Sequence, residues 1–246
     1  MKLKILFYFA LALTVISCQF NETMVMNADG SGTMSVEVNL NEMMAFSGAM
    51  MDTAQVKVDT TVYVKDFLEE KKDSIAKLSK TEQKKLKKLE NFIIGVKMDS
   101  EAGEMNYNIS TNFKKVSEAN DIMNGLEQAT NMAPNDDAQT GKVSTDEDTP
   151  EIIGVDYTFK DGVFKRDAYI KDKELHKKQV DSLKEAAAFM GSSNYTLHYT
   201  FPKKIKETSN PEATFSADKK TMTVKKPFIE YFKNPDVLDL EVELEN

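Results

Sequence analysis

The chain has 246 residues, a formal charge of −8 and a single cysteine, Cys18. With one cysteine there is no disulfide, no CxxC redox pair and no thiolate metal site, so an exported form must be held by its core alone. Removing an N-terminal signal that carries Lys2 and Lys4 leaves a mature charge near −10. That surface repels phosphate backbones and excludes nucleic acid as a partner.

Lys2 and Lys4 form a short basic n-region, followed by the apolar run from Ile5 to Val15. A membrane-crossing helix needs about 20 apolar residues, and this run stops short, as a secretory h-region does. It ends in Val15-Ile16-Ser17-Cys18, which resembles the bacterial lipobox. The resemblance implies a signal peptide over residues 1–17, with cleavage between Ser17 and Cys18. The Cys18 thiol then takes the lipid. Several acyl chains on one cysteine hold a protein stably at a membrane, whereas one holds it marginally. No Asp follows Cys18 directly, which favours the outer membrane over the inner.

Two halves are expected, 18–132 and 151–246, joined by an acidic flexible segment at 133–150. In the first, Met24 and Met26 lead through Asp29-Gly30-Ser31-Gly32 into an alternating strand with Met34, Val36, Val38 and Leu40 on one face. Met43, Met44, Phe46, Met50 and Met51 follow at helical spacing, a soft surface suited to an apolar ligand or a membrane rim, or simply to covering the hairpin. Val56, Val58, Val62 and Val64 suit one extended piece. Residues 66–91 read as helical, with Ser79 and Glu82 in capping-box spacing and a lysine-rich face that is more often solvated than bound to headgroups. Phe92–Met98 and Met105–Phe113 make a second hairpin, and 117–130 another helix.

Residues 133–150 contain almost no large apolar side chain and end in Thr149-Pro150. Beyond them, Asp161-Gly162 marks a hairpin, a helix spans about Asp172 to Met190, and Tyr195, Leu197, Tyr199 and Phe201 alternate in a strand. A hairpin around Asp218-Lys219, a helical turn after Pro227 and a closing strand with Leu238, Leu240, Val242 and Leu244 complete the chain. The expected class is α+β: an antiparallel sheet built from hairpins, helices packed on one face, and a suggestion of two similar halves.

Glu22 to Val38 and Tyr195-Thr-Leu-His-Tyr-Thr-Phe-Pro, with Glu207-Thr-Ser-Asn-Pro and Asp218-Lys-Lys-Thr-Met-Thr-Val, resemble bacterial lipoproteins of unknown function, including the mycobacterial LppM-like domain. The methionine-, lysine- and aspartate-rich composition is also similar to lipoproteins of the Bacteroidota. The resemblance implies an envelope location and a sheet domain, and it carries no catalytic residue.

Asn27 to Ser35 nearly spells a calcium loop, but its twelfth position is Val38 and its flanks alternate as strands, so a tight turn is favoured and no metal is expected. His176 and His198 are both expected at the surface. Serine-nucleophile elbows, zincin motifs, P-loops and dinucleotide glycine patterns are absent. The expectation is a non-enzymatic, membrane-anchored envelope protein without cofactor, binding a partner protein or an apolar ligand. The competing class is an envelope hydrolase whose site includes His198.

Overall fold

The computed structural model describes residues 19–41, 44, 57–120, 122 and 152–245. The signal peptide, Ser17, Cys18, Met43, Phe46, Met50, Met51 and the 133–150 segment lie outside them. Among the described residues are twelve strands in two sheets and five α-helices, an α+β protein.

The strands are β1 (Gln19–Met26), β2 (Gly32–Asn39), β3 (Lys57–Tyr63), β4 (Phe92–Asp99), β5 (Glu104–Phe113), β6 (Ile153–Lys160), β7 (Val163–Ile170), β8 (Asn194–Thr200), β9 (Ile205–Thr208), β10 (Thr214–Phe215), β11 (Thr221–Pro227) and β12 (Leu240–Leu244). The helices are α1 (Val64–Glu70), α2 (Lys72–Ile75), α3 (Lys80–Lys88), α4 (Lys173–Met190) and α5 (Phe228–Lys233).

The large sheet runs β10-β11-β8-β1-β2-β5-β4-β3, and the small one β6-β7-β12-β9. Every pairing is antiparallel except β1 with β8, where Glu22 lies beside Leu197. That parallel join puts strands from both sides of 133–150 into one sheet, so the large sheet is not confined to either stretch. The small sheet is drawn entirely from residues after 151.

Alternation decides which face is buried. Met24, Met26, Met34, Val36 and Val38 point inward with Ile94, Ile109, Phe113, Leu197 and Val224. The opposite face carries Thr23, Ser35, Glu37, Asn108 and Thr196, the polar side an antiparallel sheet can leave to water. Phe164 of the small sheet packs edge-on against Tyr199 of β8 and Phe201 just beyond it, and Val242 and Leu244 join the same core. Around β4 and β5, Val64, Leu89, Val116 and Ala119 are the buried neighbours of the same continuous core.

Local chemistry matches the sequence at the turns. Asp161 and Gly162 both have positive φ, 52° and 79°, the geometry a two-residue hairpin needs. In the first hairpin, Gly30 N–H donates to the Asn27 carbonyl and Ser31 donates to Asp29 Oδ1 from both its amide and its hydroxyl. This is the tight turn expected there. Gly32 has a packing reason: an added Cβ would lie 2.2 Å from the Val25 carbonyl and 2.6 Å from the Phe113 ring.

Two expectations change. The 66–91 helix is three short helices, interrupted near Lys71 and again around Leu78. The helix expected over 117–130 begins as a 3-10 turn at Val116–Ala119, and most of its remainder is outside the described residues.

Candidate functional site

Among the described residues, two places hold charged groups beside apolar ones. The first is buried between the sheets. Glu22 occupies an inward position of β1, two residues before Met24, and is completely buried. Arg166 takes the inward position between Phe164 and Ala168 on β7, also fully enclosed.

The two meet as a bidentate pair. Arg166 Nε donates to Glu22 Oε1 at 3.2 Å and Nη2 to Oε2 at 3.1 Å. Tyr157 Oη donates to Oε1 at 2.7 Å, Tyr195 Oη to Oε2 at 2.7 Å, and Tyr199 Oη also donates to Oε1. Arg166 Nη1 donates to the Leu238 carbonyl at 3.2 Å, and its guanidinium lies 5.7 Å from the Tyr231 ring centre. Four of the eight tyrosines therefore gather on one ion pair.

Burial alone would raise the Glu22 carboxyl. The Arg166 charge and the donated hydrogen bonds outweigh it and leave the group below the usual carboxylate range. Burial, and then the Glu22 charge, push Tyr157, Tyr195 and Tyr199 well above the ordinary phenol value. The carboxylate accepts five hydrogen bonds and neither charge touches solvent. Such a cluster pins β1 to β6, β7 and β8; it offers no open position for a substrate.

The sequence reading missed this cluster. Its signal was present: Arg166 is the only arginine in a chain with 31 lysines. A buried carboxylate calls for the planar fork of arginine, whereas a solvated surface is served by lysine. Glu22 likewise interrupts the inward run Phe20, Met24, Met26.

The second place is a cleft of about 750 Å³ between α1, α2 and α3. Leu68, Ile75, Ala76 and Leu86 supply its apolar lining, while Lys65, Lys72, Lys80, Lys84 and Lys87 stand against Asp66, Glu69 and Glu90. The Ser79 hydroxyl accepts from the Glu82 amide at 3.2 Å, and the Glu82 carboxylate accepts from the Ser79 amide at 2.7 Å. That capping box starts α3. Gln83 Nε2 donates to the Leu78 carbonyl at 2.9 Å and fastens the preceding turn. Lys72 pairs with Glu69 at 2.8 Å and Lys87 with Glu90 at 2.6 Å. Lys65, Lys80, Lys84 and Asp66 make no ion pair among the described residues.

A smaller cleft of about 330 Å³ lies against β2, β3, β4 and β5, lined by Glu37, Asp59, Lys97 and Asn108 among others. His198 lines neither cleft. It is exposed on the outer face of β8, with Nδ1 3.0 Å from Thr223 Oγ1. His176 departs from its expected exposure: it is 7% exposed, with Nε2 2.6 Å from the Phe232 carbonyl and its ring against that of Phe232. The docking of α4 on α5 encloses it. Because α5 packs on the inner face through Phe228 against Phe20 and Tyr231 against Tyr195, the two histidines lie on opposite sides of the sheet.

Of the expected methionine surface only Met44 is described, half-buried, its amide donating to the Leu40 carbonyl at 3.0 Å. No group of three potential metal ligands occurs among the described residues. No described helix is long and apolar enough to cross a membrane.

The sequence matches no family model and no curated protein. Among solved structures, the chain is similar to the NMR structure of the folded domain of Mycobacterium tuberculosis LppM, with a TM-score of 0.41 and 5% identity over 93% of this chain and 89% of that one. The likeness is distant.

Proposed function

We propose that this chain is a lipid-anchored envelope protein, attached through Cys18, whose folded part binds an apolar ligand and catalyses no reaction. One observation carries the binding reading: the α1–α3 cleft combines an open volume of small-molecule size with the apolar side chains of Leu68, Ile75 and Leu86. The buried constellation that would otherwise attract a catalytic reading is enclosed, with every oxygen of Glu22 occupied.

The anchor follows from the lipobox, and β1 begins at Gln19. A lipid on Cys18 would therefore hold the sheet at the membrane with no spacer. The outer membrane is the preferred address because Gln19, not Asp, follows the cysteine.

Binding is tested with N-phenyl-1-naphthylamine, whose fluorescence rises in an apolar site, added to the chain from Gln19 to Asn246, which holds every described strand and helix. Enhancement by the wild type and its loss in Leu68→Asp, with the circular dichroism retained, is expected. A wild-type chain that gives no enhancement would end the binding reading. The anchor is tested separately: labelled palmitate should appear on the wild-type protein and not on Cys18→Ala.

A further inference from the structure

Taking the binding reading of the cleft as its basis, we propose that the occupant is a single-chain amphiphile with an anionic head, a carboxylate or a phosphate. The lining has two chemistries in one concavity. Leu68 and Ile75 offer an acyl chain a place out of water above the buried Leu86, and lysine ammonium groups stand around them.

The charge balance is the stronger half of the argument. Three cations and one anion of the lining have no ion-pair partner among the described residues, and the lining as a whole carries five lysines against three acids. In a chain of net charge −8 this concavity has the opposite sign to the rest of the molecule. A positive cleft with low-dielectric walls concentrates anions there. The unpaired Asp66 sets a limit, since it disfavours a compact anion seated beside α1 and leaves Lys80 and Lys84 of α3 as the head-binding pair.

The cleft and the anchor are set apart on the sheet. The chain leaves β3 for α1 at Tyr63, whose row across the sheet passes through Ile93, Ser110 and Ser35 to Thr23. Thr23 is four residues along β1 from Gln19, about 13 Å by strand rise. A lipid-bearing Cys18 would precede the Gln19 end of β1, so the row that leads to the cleft starts some way along the strand from the anchor.

The test is calorimetric titration of the Gln19–Asn246 chain with oleate, with oleoyl lysophosphatidate and with oleyl alcohol, below their aggregation concentrations. At least one anionic ligand should bind about tenfold tighter than the alcohol, the preferred one telling a fatty acid from a lipid phosphate. The double variant Lys80→Gln/Lys84→Gln should remove that preference and leave alcohol binding unchanged, and raising the ionic strength should act in the same direction. Alcohol binding equal to that of both anions, or a preference untouched by the double variant, would overturn the inference while sparing the binding reading. If none of the three binds, both fall. Displacement of oleate by inorganic phosphate at equal concentration would also overturn it, since a bare anion site needs no chain.

Discussion

The inter-sheet cluster and the helical cleft are both built from charged side chains beside apolar ones, and they use charge in opposite ways. At Glu22 and Arg166 water is excluded, so each charge must be fully answered, and five hydrogen bonds and a cation–π contact answer it. Between α1 and α3 the lysines remain wet, so leaving Lys65, Lys80 and Lys84 unpaired costs little. Enclosure makes charge a structural element in one region. Exposure keeps it free for a ligand in the other.

The largest effect expected from breaking this contrast is at Arg166. Arg166→Met strands the Glu22 carboxylate among three tyrosines and should destabilise the protein by about 3–5 kcal/mol, measured by urea unfolding. Arg166→Lys should not restore the loss, because an ammonium cannot satisfy both carboxylate oxygens in that plane. The double variant Glu22→Leu/Arg166→Met should recover much of it, since an apolar pair leaves no buried charge. Full destabilisation persisting in the double variant would show that the pair does more than neutralise itself.

The same cluster fixes how stability responds to pH. Glu22 has a lowered value in the folded state, so its contribution is present above the ordinary 4.5 and is lost as pH falls through the folded value. Tyr157, Tyr195 and Tyr199 have raised values, so their contribution is present below the ordinary 10.0 and is lost as pH climbs towards the folded ones. Stability should therefore fall off at both extremes. Tyr199→Phe should blunt the alkaline limb, which thermal melts across the pH range will show. An alkaline limb identical in the variant would mean that other groups set it.

How legible these regions were in the sequence follows from the same physics. Hairpins and buried faces were readable because alternation and turn residues are local: Met34, Val36 and Val38, or Asp161 with Gly162, declare themselves within a few positions. The capping box at Ser79 was readable for the same reason. The partnership of residues 22 and 166 spans 144 positions, and no short-range pattern encodes it. Only composition hinted at it, through a lone arginine. The parallel β1–β8 pairing was missed likewise, because parallel neighbours need no hairpin signal between them. His176 was misread because its helix is lysine-rich, and only the packing of α5 reveals which face is covered.

In the cleft the expected effects are smaller, and their smallness is the point. Ser79→Ala removes one cap from α3 and should cost about 1 kcal/mol. Lys80→Gln/Lys84→Gln should shift stability by no more than about 0.5 kcal/mol, because both side chains are exposed and neither has an ion-pair partner among the described residues. Lys80 opens α3 and Lys84 lies one turn on, near Lys85, Lys87 and Lys88, so each change also relieves repulsion between like charges and partly offsets any loss. The measurement is the urea midpoint of the double variant against wild type at low and at raised ionic strength. A loss approaching that of Arg166→Met would place these lysines among the groups that hold the fold, and would remove the contrast on which a ligand-directed role for them depends.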